Sequence, residues 1–200
     1  SRLTPDIDEE TARNLRRETL LHREAKAILE REQRITTPCL EVRVTRDPPD
    51  EFIGEWETDT LRMNWFAAPK MLELTDVRLE RRLGRIVPDI VANLAARDIH
   101  AAGIIDTWVN DGFEEEIEDT SSLPWPSILL VEVTVTHGID EEKRRRIREL
   151  NLATLEIDLS LLGGRITRED LRDLIVDQTV GKRWVHHPVF PIKQQRLNTA

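Results

Sequence analysis

The chain has a single cysteine, Cys39, which excludes internal disulfides, zinc knuckles and Cys-X-X-Cys redox sites. It also lacks any run of about 18 apolar residues, so the sequence predicts no helix that spans a bilayer. Residues 1–11 are polar and acidic, without the basic-then-apolar order of a signal peptide. We therefore expect a cytoplasmic protein with no membrane partner.

Positive charge is scarce as well, with 29 Lys and Arg residues against 38 Asp and Glu residues and a formal net charge of -9. A global positive field is thereby excluded, so any contact with DNA must be local. An acidic balance still suits a carboxylate cluster that binds a divalent cation. The chain has no Gly-X-Gly-X-X-Gly motif, no P-loop and no Gly-X-Ser-X-Gly elbow, which disfavours nucleotide-binding and serine-hydrolase chemistry.

Hydrophobic periodicity predicts an α/β domain that covers residues 1–200. The predicted elements are a helix at 6–34, a strand at 40–45, a hairpin of 72–83 and 85–94, a central strand at 127–136, a helix at 140–150, a strand at 153–159 and a helix at 167–178. Two stretches with poor patterns, 46–71 and 95–127, are interpreted as insertions that are irregular or partly helical. Residues 190–200 are interpreted as a polar tail.

Two acidic residues stand alone in apolar β-like runs. Glu132 lies in the middle of the central strand, and Asp89 lies in Val-Pro-Asp-Ile-Val before another strand. A buried carboxylate costs several kcal/mol unless it is paired or bound to a metal. If the two strands are neighbours, both acids supply oxygen ligands for Mg²⁺ or Mn²⁺, with the Val133 carbonyl and waters completing an octahedron. The alternative for Glu132 is that it lies near an exposed strand end and pairs with an arginine.

The order Pro88-Asp89, then Glu132-Val133-Thr134 on a long strand, then a helix and a strand resembles the PD-(D/E)XK nuclease superfamily. The greatest similarity is to competence-associated CoiA-like proteins and their bacterial relatives, and it covers the first helix and residues 72–160. The resemblance implies a restriction-endonuclease-like mixed sheet flanked by helices, with an α-β-β-β-α-β core. It also implies metal-dependent hydrolysis of DNA, in DNA uptake, processing or phage defence.

The sequence departs from the superfamily pattern at Thr134, which stands where the family has a catalytic lysine. In the following helix, Lys143 shares an apolar stripe with Ile139 and Ile147 at spacings of four residues. Lys143 is therefore a candidate to replace the missing lysine by orienting water and stabilising the developing charge. The alternative is that its stem lies along the core while its ammonium stays in water.

Other candidates are weaker. Glu18 and His22 share the apolar side of the first helix, and the resemblance assigns Glu18 an assisting role near the metal, whereas Lys26 is expected on a solvated face. The candidate nucleic-acid contacts are His22, Arg85, Arg144 and His137. DNA is the expected partner, with RNA and a homodimer left open. The alternative function is a catalytically lapsed nuclease-fold module that binds nucleic acid or a protein.

Overall fold

The chain forms two β-sheets, and helices pack on both faces of the larger one. The computed structural model describes residues 9–46, 61–95, 100–110, 113–124, 126–136, 138–160, 162 and 166–199. Its helices are α1 (Glu9–Glu32), α2 (Glu141–Leu150), α3 (Arg168–Val176) and α4 (Val189–Thr199). Its strands are β1 (Arg34–Thr37), β2 (Leu40–Arg46), β3 (Leu61–Ala67), β4 (Lys70–Leu79), β5 (Ile90–Leu94), β6 (His100–Asn110), β7 (Phe113–Pro124), β8 (Ile128–Thr134), β9 (Ala153–Asp158) and β10 (Lys182–His186). The predicted α/β class is confirmed.

The larger sheet has six strands in the order β1-β4-β5-β8-β9-β10. Strands β8 and β9 are parallel, and every other neighbouring pair is antiparallel. A parallel pair needs a crossover connection, and α2 provides it between β8 and β9. Strand β5 lies directly beside β8, so the segment that follows Asp89 and the strand that carries Glu132 are neighbours.

Strand β8 is covered on both faces. Leu129 and Val131 belong to the core that α1 and α3 complete, whereas Leu130 packs with Ile147 of α2 on the opposite face. Burial on both faces explains why the sequence of this strand is nearly all apolar rather than alternating. Glu132 is therefore a charged residue in a strand that is buried from Leu129 to Thr134, and only 2% of its own surface is exposed.

The start of α2 is fixed by a side-chain cap. Asp140 has extended backbone angles, and its carboxylate accepts a hydrogen bond from the Lys143 N–H at 2.7 Å. Lys143 consequently lies in the first turn of the helix. The helix macrodipole disfavours a cation there, so helix stability alone does not explain a lysine at this position.

Several predicted elements are confirmed within a few residues at each end: α1, β2, β8, α2, β9 and α3. The predicted hairpin is also present as the antiparallel pair β4–β5, with Leu79 opposite Ile90. Gly84 adopts a φ of 57° in its connection, next to a bridge between Leu83 and Ile86. None of the helices in the ranges that the structure describes is long and apolar enough to cross a lipid bilayer.

The two stretches interpreted as irregular or partly helical insertions contain β-strands instead. Strands β3, β6 and β7 lie in them and pair with β2 in a four-stranded antiparallel sheet of order β2-β3-β6-β7. The expectation of irregular or helical structure was wrong because β3 and β6 gain hydrogen bonds from each other although they lie far apart in the chain, and local patterning carries little of that signal.

The end of the chain is also structured where the sequence predicts a polar tail. Helix α4 covers this stretch and packs against β2 and β3. Strand β10, which lies just before the predicted tail, joins the edge of the larger sheet beside β9. The buried positions of α4 include one apolar residue, Val189, and one charged residue, Lys193. Hydrophobic periodicity misses such a helix because a lysine occupies part of its buried face. Strand β1 was missed too, since it follows α1 almost directly after a left-handed residue, Gln33, with a φ of 50°.

Candidate active site

Asp89 and Glu132 come together where β5 begins beside β8. The Val133 N–H donates a hydrogen bond of 2.8 Å to Asp89 Oδ2, which ties the first acid to the residue after the second. Asp89 is partly covered, with 17% of its side chain exposed. The connection between β4 and β5 thus places Asp89 beside β8, the strand that carries Glu132.

Lys143 of α2 reaches this acid pair. Its Nζ lies 2.7 Å from Glu132 Oε2, and its side chain is 29% exposed. The other oxygen, Glu132 Oε1, is buried and has no hydrogen-bond partner in the described part of the chain. Buried polar atoms are nearly always satisfied, so an orphaned oxygen here is what we expect where a ligand binds. The contact between Lys143 Nζ and Glu132 Oε2 argues against the alternative in which the Lys143 ammonium stays in water.

The environment makes Glu132 hard to ionise. Burial raises the pKa of its carboxyl, the nearby Lys143 ammonium lowers it, and the negative charge of Asp89 raises it again, so that it reaches about 7. The influence of Asp89 on this pKa is a further sign that the two acids are close. A divalent cation at this position would replace the proton that Glu132 otherwise tends to hold.

Helix α1 covers the other side of Asp89. His22 Nε2 lies 3.0 Å from Asp89 Oδ1, and Lys26 Nζ lies 3.8 Å from the same oxygen and 2.6 Å from Glu80 Oε1. Burial acts to raise the pKa of Asp89, but contacts with His22, the Val133 N–H and Lys26 outweigh it and hold the pKa below its usual value. The expectation of a solvated Lys26 is wrong: only 5% of it is exposed, because α1 packs its stem against the sheet.

Glu18 lies one turn before His22 on α1 and reaches the end of β8 rather than the acid pair. Its Oε1 accepts a 2.7 Å hydrogen bond from the Thr136 hydroxyl. Glu18, Thr136 and Leu159 are among the residues that line a cavity of about 210 Å³. No contact in the described ranges joins Glu18 to Asp89 or Glu132, so its assisting role stays a prediction.

Thr134 forms its side-chain hydrogen bond with Glu156 rather than with Glu132. Its hydroxyl donates to Glu156 Oε1 at 3.2 Å, and Glu156 lies directly opposite Glu132 in the parallel pair β8–β9. Glu156 is fully buried and was missed from sequence. It carries the same signal as Glu132, a lone acid between apolar residues of a strand, in Leu-Glu-Ile.

The predicted nucleic-acid contacts are dispersed. Arg144 is half-buried at the start of α2, where its Nε donates to the Ile139 carbonyl at 3.0 Å. Arg85 is exposed in the β4–β5 connection, and its carbonyl accepts a 3.1 Å hydrogen bond from Arg146. His137 lies outside the described residues. Of the three predicted contacts that the structure describes, His22 is the one that touches the acid pair.

Comparison of the chain with models of protein families, with curated proteins and with solved structures finds no match. Function must therefore be inferred from the side chains themselves. Within the described ranges, no three or more His, Cys, Asp or Glu residues form a group that could hold a metal ion. Asp89 and Glu132 still meet the smaller requirement of Mg²⁺, which is commonly held by one or two carboxylates, waters and substrate phosphates.

The raised pKa of Glu132 gives a stability prediction. The carboxyl titrates at about 7 in the fold against its usual value of 4.5. Its stabilising contribution is therefore fully present below about pH 4.5 and is lost as pH rises through about 7, a change of about 3 kcal/mol. Glu132→Gln removes this ionisation. In EDTA, we expect the variant to gain most of that amount in stability relative to the wild-type chain between about pH 5 and about pH 8, measured by urea unfolding. A stability difference that does not change with pH would contradict this.

Proposed function

We propose that the chain is a metal-dependent nuclease that hydrolyses phosphodiester bonds of DNA, with a restriction-endonuclease-like core. The observation that carries the proposal is that Asp89 is bonded to the residue after Glu132 and Lys143 is bonded to Glu132 Oε2, while Glu132 Oε1 is buried without a hydrogen-bond partner among the described residues. The order of elements α1, β4, β5, β8, α2, β9 also agrees with the α-β-β-β-α-β core of the superfamily that the sequence resembles.

The residues at this position fit a hard divalent cation. Glu132 Oε1 is buried and has no hydrogen-bond partner within the ranges that the structure describes, and Asp89 lies close enough for its charge to raise the pKa of Glu132. The two carboxylates would hold Mg²⁺ or Mn²⁺, together with the Val133 carbonyl that the sequence suggested. When bound, such a cation lowers the pKa of a water and polarises the phosphate that is attacked.

The cationic side chains have separate tasks in this proposal. Lys143 stands next to Glu132 and can orient the attacking water or stabilise the charge that develops on the phosphate. His22 and Lys26 keep Asp89 ionised at neutral pH, since their contacts help to lower its pKa. Asp89 is therefore ionised and able to bind a cation at neutral pH, where the Glu132 carboxyl, with a pKa of about 7, is about half protonated.

A second candidate is a nuclease-fold module that binds nucleic acid without cutting it. The observation in its favour is that protein cations already face both acids: Lys143 faces Glu132, and His22 and Lys26 face Asp89. In such a module these cations would balance the charges of the two carboxylates without any metal ion. The replacement of the family's lysine by Thr134 agrees with this alternative.

The test is direct. The purified chain is incubated with plasmid and with single-stranded DNA in Mg²⁺, in Mn²⁺ or in EDTA, and thermal unfolding is followed in the same three conditions. We expect cleavage and thermal stabilisation with either cation and neither effect in EDTA. Stabilisation by the cations with DNA binding but no cleavage would favour the second candidate. No effect of either cation would overturn the metal site.

A further inference from the structure

Glu156 is a second buried carboxylate beside the candidate active site, and two arginines face it. Arg183 Nε donates a 2.6 Å hydrogen bond to Glu156 Oε2, and Arg144 Nη2 lies 3.7 Å from the same oxygen. The Thr134 hydroxyl donates to the other oxygen. Together these contacts offset the cost of burying a fully enclosed carboxylate.

Both arginines also have exposed surface. The Arg183 side chain is 55% exposed and that of Arg144 is 29% exposed, whereas the Glu156 side chain is 0% exposed. Arg183 is bonded through Nε, and in the described part of the chain its two terminal nitrogens make no hydrogen bond. A guanidinium bonded through Nε keeps the N–H donors of its terminal nitrogens available for an anion. Its side chain is already partly ordered, so less conformational entropy is lost when the anion binds.

The two arginines lie against the connection that links Glu132 to Lys143. A Cβ added at Gly138 would be 3.8 Å from Arg183 Nη2, and Arg144 donates to the carbonyl of the next residue, Ile139. Glu156 is opposite Glu132 across a parallel strand pair, a separation of about 4.8 Å between strands. The arginines are therefore close enough to Glu132 for one nucleic-acid strand to contact both the arginines and the acid pair.

We propose that Arg183 and Arg144, positioned by Glu156, form a phosphate-binding site for the DNA backbone next to the phosphate that is cut. This inference rests on the proposed nuclease function. Arginine suits the task because its planar donors match phosphate oxygens two at a time. In a chain with net charge -9, contacts with DNA must be made by local groups of cations such as this one.

The experiment measures DNA binding in EDTA, where no cleavage is needed. A short fluorescein-labelled oligodeoxynucleotide is titrated with the wild-type chain and with Arg183→Gln at several salt concentrations. We expect the dissociation constant of Arg183→Gln to rise about tenfold, as for the loss of one charge-assisted contact. The slope of log K against log salt should fall by about one, as for the loss of one phosphate contact.

Two further variants separate binding from structure. Arg145→Gln removes an exposed arginine of α2 that pairs with Glu142 and Glu149, and it should leave both the affinity and the salt slope unchanged. Glu156→Gln keeps the arginine charges but removes their anchor, so it should weaken binding with little change in the salt slope. If the role of Arg183 is purely structural, Arg183→Gln should have a lower thermal midpoint, but its folded form should bind DNA with the wild-type salt slope.

The outcomes distinguish this inference from the proposed function. Binding that depends on Arg183 in a chain that never cleaves DNA would support the phosphate site and overturn the nuclease. Cleavage by Arg183→Gln with wild-type affinity and salt slope would support the nuclease and overturn the phosphate site. Absence of any binding by the wild-type chain would overturn the phosphate site as well.

Discussion

Asp89→Asn is expected to abolish metal-dependent cleavage of DNA while leaving the fold intact. The amide oxygen of asparagine can still accept the hydrogen bond from the Val133 N–H, now 2.8 Å from Asp89 Oδ2, so the contact between β5 and β8 persists. The negative charge that a hard cation requires is lost. Lys26 keeps its 2.6 Å contact with Glu80, so this buried cation is not left alone.

The matched control is Asp76→Asn, the same substitution at an exposed position of β4. Asp76 pairs with Arg78 on the surface and has a φ of 49°, a conformation that asparagine tolerates. Initial rates of plasmid nicking in Mg²⁺, together with thermal midpoints with and without Mn²⁺, should show the loss in Asp89→Asn alone. Equal nicking by both variants would contradict a metal site at Asp89.

Lys143→Ala is expected to lower the rate of cleavage by about 10²- to 10³-fold, the usual effect of removing one group that stabilises transition-state charge. Lys143 is the cation that contacts Glu132, at 2.7 Å. Without it, the pKa of Glu132 should rise further above about 7, because the ammonium is what now opposes burial. The pH at which activity reaches half its maximum should therefore move upward, and a pH–rate profile measures that shift.

A second substitution distinguishes a catalytic lysine from a structural one. Position 134 is two residues after Glu132 on the same strand and shares its face. Thr134→Lys in the Lys143→Ala background should therefore recover part of the lost rate. Arg145→Ala, which removes a cation from the exposed side of α2, should leave the rate unchanged. If the double variant folds but remains as slow as Lys143→Ala, the charge of Lys143 is not what the reaction requires.

The four inner strands of the larger sheet (β4, β5, β8 and β9) and the acid pair were accessible from sequence because their signals are local. Strand β8 is predicted by its own residues, since burial on both faces demands a continuous apolar run. Against that run Glu132 stands out at once, and Lys143 stands out in the stripe of α2 for the same reason. These charged residues could be singled out because a buried charge requires an opposite charge or a metal ion beside it.

The second sheet, strand β10, helix α4 and Glu156 were missed for physical reasons. Strands β3 and β6 pair across a long separation in sequence, and no local pattern reports such pairing. In α4 a charged residue, Lys193, is fully buried, which conceals the amphipathic period. Glu156 could have been noticed as a lone acid between apolar residues. Its partner Arg183, however, is distant in sequence and reaches it only in the folded sheet.

Because Lys143 sits three residues after the cap Asp140, its approach to Glu132 depends on the first turn of α2 staying wound. Unwinding of a single helical turn would retract the ammonium and leave the Glu132 carboxyl to take up a proton at neutral pH. The electrostatic state of the acid pair is thus coupled to the local melting of a helix end, a motion that costs far less than global unfolding.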